Sequence, residues 1–209
     1  LIEVGDPYQC AWAALRARRS INVPLVAFYH SDLPRLVAHR FGAAARRAAT
    51  SYVRCLYRQF DMVFAPSMAM VQRLRELGID RVQHQPLGVD TAIYSPQRRK
   101  PDLRARLGMP HDARLLVFAG RLTREKKLPL LFDALHALGD PYHLLLIGSG
   151  ELPSLPSRVI RIPFQRDPET LASVIASCDM LVHSGDQETF GLVVLEAMAC
   201  GIPVAGMAA

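Results

Sequence analysis

Apolar positions along this chain fall into short unbroken runs, separated by longer stretches in which they recur every three or four residues. The runs are VPLVAFY (23–29), DMVFAP (61–66), RLLVFAG (114–120), HLLLIGSG (143–150), RVIRIP (158–163), DMLVHSG (179–185) and IPVAG (202–206), and the opening LIEV reads the same way. The periodic stretches predict helices over 34–59, 67–77, 127–138, 168–177 and 191–200. Apolar runs without alternation suit strands buried on both faces, and strand, helix, strand in succession is the signature of a parallel sheet. The expected class is therefore α/β. The stretch QPLGVDTAIYSPQRRKP (85–101) interrupts the pattern with Pro, Gly and charge. It reads as a linker between two α/β units, 1–90 and 91–209, and PDLRARLGMP after it as a short helix leading into the second.

Half of the residues are hydrophobic and 21% are charged, the balance of a soluble globular protein. No apolar run approaches the roughly 20 residues that span a bilayer, so no transmembrane helix is expected. No secretory signal is visible, and both ends read as cut: Leu1 opens directly in a strand-like run, and GMAA follows just after another. Cys10, Cys55, Cys178 and Cys200 lie far apart with no C-x-x-C, which argues against a zinc site or a disulfide framework and fits a reducing cytoplasm. A net charge of +6 permits anionic partners without choosing among them.

Candidate chemistry gathers where an α/β sheet binds ligands, beyond the C-terminal ends of its strands. VFAG runs into RLTREKK, LLLIG into SGE and MLVHSG into DQETFG. Three loops thus place Arg121, Lys126, Ser149, Gly150, Glu188 and Gly191 at one sheet edge. Gly120 lets the backbone turn, and Arg121 with Lys126 could grip a diphosphate, a planar fork beside a point charge. On spacing alone, two solvated cations on a loop is the plainer reading. Phe190, Gly191 and Leu192 open the helix 191–200, and the free N–H groups of such a terminus attract anions. Glu196 is an anomaly, a carboxylate in a helix with no polar side. Helical side chains lean toward the N-terminus, so Glu196 faces whatever occupies that end, and the vicinal hydroxyls of a ribose would suit it. A pairing with a neighbouring Arg, or a place on a solvent edge, stays open. Glu188 sits in the loop before the helix, where an idle, exposed glutamate is the default.

GRLTREKKLPLL, LLLIGSGEL and ETFGLVVLEAMACGIPV closely resemble the nucleotide-binding half of retaining glycosyltransferases of family 4, which have the GT-B fold. VPLVAFYHSDLP, FAPSMAMVQRLRELGI and LGVDTAIYSP resemble that family's first domain and its crossing into the second. The resemblance implies two Rossmann-like domains facing a cleft, both incomplete here: an acceptor-side unit over 1–90 and a nucleotide-sugar-binding unit over 91–209. It also implies roles. Arg121 and Lys126 would bind the donor diphosphate and stabilise the leaving β-phosphate, with Gly120 and Gly148 at the strand ends beside it. Glu196 would hold the ribose, while Glu188 and the amides of Phe190, Gly191 and Leu192 would contact the sugar and phosphates. His30, at a strand end before Ser31 and Asp32, would face the sugar from the acceptor side, although a lone His is usually structural. No metal or other cofactor is expected. Similarity of FYHSDLP to mannose-transferring members favours GDP-mannose over UDP-glucose as donor, with a glycan or lipid as acceptor. The family's glycine-rich loop near the start and the elements after GIPV are absent, so activity is expected of the full-length parent and not of these residues alone.

Arg35, Arg40, Arg46, Arg47, Arg54 and Arg58 would share an arc of roughly 140° on one helix over 35–58, opposite Val37, Phe41, Ala44, Ala48 and Cys55. Gly42 weakens that count. A solvated face is the plain reading, and peripheral contact with anionic lipid at the inner face of a membrane the sharper one. A non-catalytic nucleotide-sugar-binding protein is the alternative function, although it has no need of Arg121, Lys126, Glu188 and Glu196 together. Nucleic acid is not an expected partner, because no known module and no interleaved aromatics accompany the arginines.

Overall fold

The computed structural model describes residues 1–152 and 154–207, and the chain divides into two units, Leu1–Leu87 and Gly88–Ala209. Among the described residues, the first unit has four parallel strands in the order β1 (Ile2–Val4), β2 (Leu25–Phe28), β3 (Met62–Ala65), β4 (Val82–His84). Helices α1 (Gln9–Ala17), α2 (Leu33–Tyr57) and α3 (Met68–Glu76) alternate with them. Strand β2 is buried along its whole length, as its unbroken apolar run requires.

Asp32 explains how α2 begins. Its buried carboxylate accepts from the Arg35 amide at 3.3 Å and from the Tyr29 hydroxyl at 3.4 Å, and it meets Arg73 Nε of α3 at 3.0 Å. One side chain therefore caps α2 and ties it to α3. Asp32→Ala removes the cap and strands the Arg73 charge. We expect it to lower the unfolding free energy by about 2–4 kcal/mol, read from the shift of a urea transition.

The single helix expected over 34–59 is corrected. Gly42 has φ 79° and ψ −169°, a conformation foreign to a helix, and α2 is two helical segments meeting there. The break resets the angular register, so the proposed arginine arc over 35–58 does not hold. The face opposite it is not a buried one: Phe41, Ala44, Ala48 and Cys55 are exposed, while Ala49, Val53, Leu56 and Tyr57 carry the packing.

Among the described residues of the second unit, the 3₁₀ turn Pro96–Arg98 and α4 (Leu103–Arg106) lead into five parallel strands ordered β7 (Val159–Ile162), β6 (Tyr142–Ile147), β5 (Arg114–Ala119), β8 (Met180–His183), β9 (Val204–Gly206). Helices α5 (Leu128–Leu138), α6 (Pro168–Ala176) and α7 (Leu192–Ala199) connect them. Alternate side chains of β5 feed opposite cores, since successive Cβ atoms point to opposite faces. Leu115, Val117 and Ala119 pack with Ala172, Ile175 and Ala197 of α6 and α7, whereas Leu116 and Phe118 pack with Leu128 and Leu135 of α5. Buried on both faces, β5 is the hub of the unit.

Where β5 and β6 end, their backbones touch. A Cβ on Gly148 would overlap the carbonyl oxygen of Gly120, and φ is +152° there. Only glycine fits both demands. Gly148→Ala is expected to destabilise the unit by at least about 2 kcal/mol, measured by chemical denaturation.

Candidate functional site

Strands β5 and β8 are neighbours, yet the chain leaves them toward opposite edges of the sheet. Such a reversal opens a crevice beyond the strand ends, the usual ligand site of a doubly wound sheet. Beside it lies a cavity of about 550 Å³, walled by the ends of β5 and β6 and by α6 and α7. Its lining includes Gly120, Arg121, Ser149, Leu192 and Glu196, together with Phe164 and Gln165 from the loop after β7. Five candidates from the sequence, Gly120, Arg121, Ser149, Leu192 and Glu196, are thereby brought to one wall. Another cavity, of about 500 Å³ on the α5 side of the sheet, has a largely aliphatic lining and reaches none of Arg121, Lys126, Glu188 or Glu196.

Helix α7 starts at Gly191, whose φ of 82° and ψ of 59° place it in the left-handed region that glycine tolerates. No side chain caps this terminus. The Val194 amide turns back onto the Gly191 carbonyl at 2.9 Å, and the amides of Leu192 and Val193 lie ahead of the first intrahelical bond. The helix is less enclosed than its composition suggests: Ala197 is buried, but Leu192 and Met198 are exposed. Glu196 has a specific partner, the hydroxyl of buried Tyr94, which donates to its carboxylate. Burial raises the Glu196 pKa, and the Tyr94 hydrogen bond offsets part of that rise.

Arg121 and Lys126, expected to act as a pair, have different surroundings. The Arg121 side chain is 72% exposed at the cavity mouth, with Glu125 at 4.0 Å. The Lys126 side chain is only 14% exposed, and its ammonium is hydrogen-bonded to Glu188 Oε1. His183 Nε2, at the end of β8, lies 3.1 Å from the same oxygen. Glu188 is therefore neither idle nor fully exposed. The loop after β8 is stitched to the 3₁₀ turn Arg124–Lys126 at two further points. Ser184 Oγ donates to the Lys126 carbonyl at 2.5 Å, and Lys127 pairs with Asp186 at 2.5 Å.

Burial alone would push the Glu188 pKa up, but the bonds from His183 and Lys126 outweigh it and hold the carboxyl at about 2, against an ordinary value of 4.5. A lowered folded-state pKa adds stability that is complete above the ordinary value and is lost as pH falls toward the folded one. The window here is pH 4.5 down to about 2. Wild type should exceed Glu188→Ala in stability by up to about 3 kcal/mol near neutrality. Urea titrations should show that gap closing across this window and nowhere above it.

His30 belongs to the first unit, where it follows β2 and is exposed, its ring stacked on Phe28 with centroids 4.3 Å apart. The sequence reading passed over Tyr94, His183, Phe164 and Gln165. His183 and the Phe164 loop both follow strands, so the strand-end rule that selected Arg121 applied to them as well. Tyr94 lies in the linker, and no local pattern ties it to Glu196. Among the described residues, no group of three or more His, Cys, Asp or Glu is arranged to hold a metal ion, and no helix is long and apolar enough to cross a membrane.

Comparison with known proteins places this geometry. Over 98% of its length the chain is 35% identical to a GDP-mannose-dependent alpha-mannosyltransferase of Mycobacterium tuberculosis, covering 54% of that protein. It is 30% identical to the sulfoquinovosyl transferase SQD2 of Arabidopsis thaliana, covering 98% of this chain and 42% of that one. The chain thus spans about half the length of the curated relatives it matches. Among solved structures, sucrose-phosphate synthase of Thermosynechococcus elongatus superposes with a TM-score of 0.80 at 26% identity, over 98% of this chain and 55% of that one. Anabaena HepE in complex with UDP-glucose gives a TM-score of 0.76 at 23% identity, over 98% and 59%. Residues 1–93 match the family described as Glycosyltransferase Family 4, and residues 99–208 the one described as Glycosyl transferases group 1. With two parallel α/β sheets of the GT-B type and more than half its length in the second match, the chain belongs to the group 1 glycosyltransferases.

Proposed function

We propose that the whole protein is a retaining glycosyltransferase that moves mannose from GDP-mannose to a hydroxyl of a glycan or lipid acceptor. The observation that carries this reading is the meeting of Arg121, Ser149 and Glu196 on one cavity at the ends of β5 and β6, with the Lys126–Glu188 pair on the loops that follow β5 and β8. The donor assignment rests on three relatives at 29–35% identity, each named GDP-mannose-dependent. In this reading Glu196 holds the ribose hydroxyls, and Arg121 with Lys126 receives the diphosphate. Glu188 and the amides of residues 190–192 meet the sugar and phosphates, and His30 of the first unit is assigned to the acceptor.

The bond from the anomeric carbon to the β-phosphate oxygen breaks, and its electron pair stays on the phosphate. The acceptor oxygen bonds to that carbon on the same face, and its proton passes to a phosphate oxygen. Charge grows on the leaving phosphate, which is where the two cations act most strongly. The proposal includes transfer without a bound metal, so chelator should leave the rate unchanged. A thermal-shift panel of GDP-, UDP- and ADP-sugars tests the donor, and a larger shift with a UDP-sugar would overturn GDP-mannose. Donor hydrolysis, strongly reduced in Arg121→Ala and Glu196→Ala, tests catalysis against mere binding.

A lipid acceptor would suit a peripheral membrane location on the cytoplasmic side. Around the Gly42 break, Arg40, Phe41, Arg46 and Arg47 are all exposed, cations beside an unburied aromatic ring. Vesicles containing anionic lipid should pellet the protein, and binding should weaken as salt rises. Equal pelleting at low and high salt would count against it.

A further inference from the structure

We propose that His183 is a positioning residue for Glu188: its imidazole and the Lys126 ammonium grip one carboxylate oxygen and fix the direction in which the carboxylate meets the sugar. The inference rests on the reading of Glu188 as the group that contacts the transferred sugar.

The geometry begins with β8. His183 is its last residue, and the side chain is 9% exposed. Its ring lies parallel to Phe118 of the neighbouring strand β5, with centroids 6.2 Å apart and planes 6° from each other. That packing leaves Nε2 3.1 Å from Glu188 Oε1, the oxygen that Lys126 also holds. The backbone closes round them. A Cβ on Gly185 would sit 3.3 Å from His183 Nε2 and 3.3 Å from Lys126 Cδ.

A loop carboxylate with one flexible lysine partner could turn about its own bonds. The His183 ring, held in the sheet with Nε2 3.1 Å from Oε1, restricts that freedom by close contact. Lys127 pairs with Asp186, while Glu125 lies near Arg121 and also acts on Lys126. The demand on position 183 is thus double, a flat ring for Phe118 and a donor at the reach of Nε2. Phenylalanine meets the first alone and glutamine the second alone.

The test compares the whole protein as wild type, His183→Phe and His183→Gln, each checked for folding by near-UV circular dichroism. The Glu188 carboxyl is followed by NMR through a pH titration, with Glu188→Gln to assign its signal. In wild type it titrates at about 2. In His183→Phe it should rise by about one unit, and in His183→Gln most of that rise should be undone. Steady-state kinetics should show kcat for sugar transfer about tenfold lower in His183→Phe, recovered in His183→Gln, with GDP affinity the same in all three. An unmoved Glu188 titration in folded His183→Phe would overturn the proposal, as would a loss of GDP affinity equal to the loss in kcat. Wild-type protein that transfers sugar from no donor would overturn the functional reading, while the titration would still decide whether His183 holds Glu188.

Discussion

Lys126→Ala is expected to lower sugar transfer by about a thousandfold, more than the roughly hundredfold loss expected for Arg121→Ala. Both cations are assigned to the leaving phosphate, but only Lys126 also holds Glu188. Removing it therefore acts twice. The phosphate loses a charge from a side chain that is only 14% exposed, where water screens little. Glu188 also loses one of the two bonds that oppose the effect of its burial, so its pKa rises from about 2 toward the ordinary range. Arg121, at 72% exposed, acts through more solvent and has no such second duty. The measurement is kcat at saturating donor with a slow step shown to be chemistry, and Lys126→Arg serves as a charge-preserving control. Arginine keeps the cation but not the compact fit beside Gly185, so partial recovery is expected. An effect of Lys126→Ala no larger than that of Arg121→Ala would remove the double role.

The difference between these two residues was invisible in the sequence, where they are two cations in one loop. What was legible is what depends on nearby residues. RLLVFAG and HLLLIGSG read as strands because β5 and β6 bury nearly every position, and the strand-end rule then led to Gly120, Arg121 and Ser149. Segments whose stability comes from distant packing were lost. Strand β4 is VQH at a sheet edge with only its valine buried, and α1 buries just Ala11 and Ala14, so neither carries a strong apolar signal. The arginine arc failed because one left-handed glycine resets helical phase, and a count at 100° per residue assumes that phase is continuous. The site divides along the same line. Glu196 stood out as a carboxylate in an apolar helix and Glu188 read as an idle loop residue, because the partners His183, Lys126 and Tyr94 come from other elements that only the folded sheet brings near.

Glu196→Ala is expected to weaken nucleoside diphosphate binding by about 30- to 100-fold, the loss of hydrogen bonds from ribose to a charged acceptor. The contrast that identifies the ribose is a 2′-deoxy nucleotide. Wild type should bind it several-fold more weakly than the ribonucleotide, whereas Glu196→Ala should bind the two alike. Tyr94 sharpens the prediction, because its hydroxyl occupies part of the same carboxylate and keeps its pKa from rising further. Tyr94→Phe should leave the fold intact and shift the acid limb of nucleotide binding to higher pH. The sign follows from burial: the carboxylate must be ionised to accept from ribose, and its pKa is already raised. Affinity should therefore fall on acidification at a pH where an ordinary glutamate is still charged, and earlier still without the Tyr94 hydroxyl. Isothermal titration at several pH values reads both effects. Undiminished discrimination between ribose and deoxyribose in Glu196→Ala would place the sugar of the nucleotide elsewhere in the cavity.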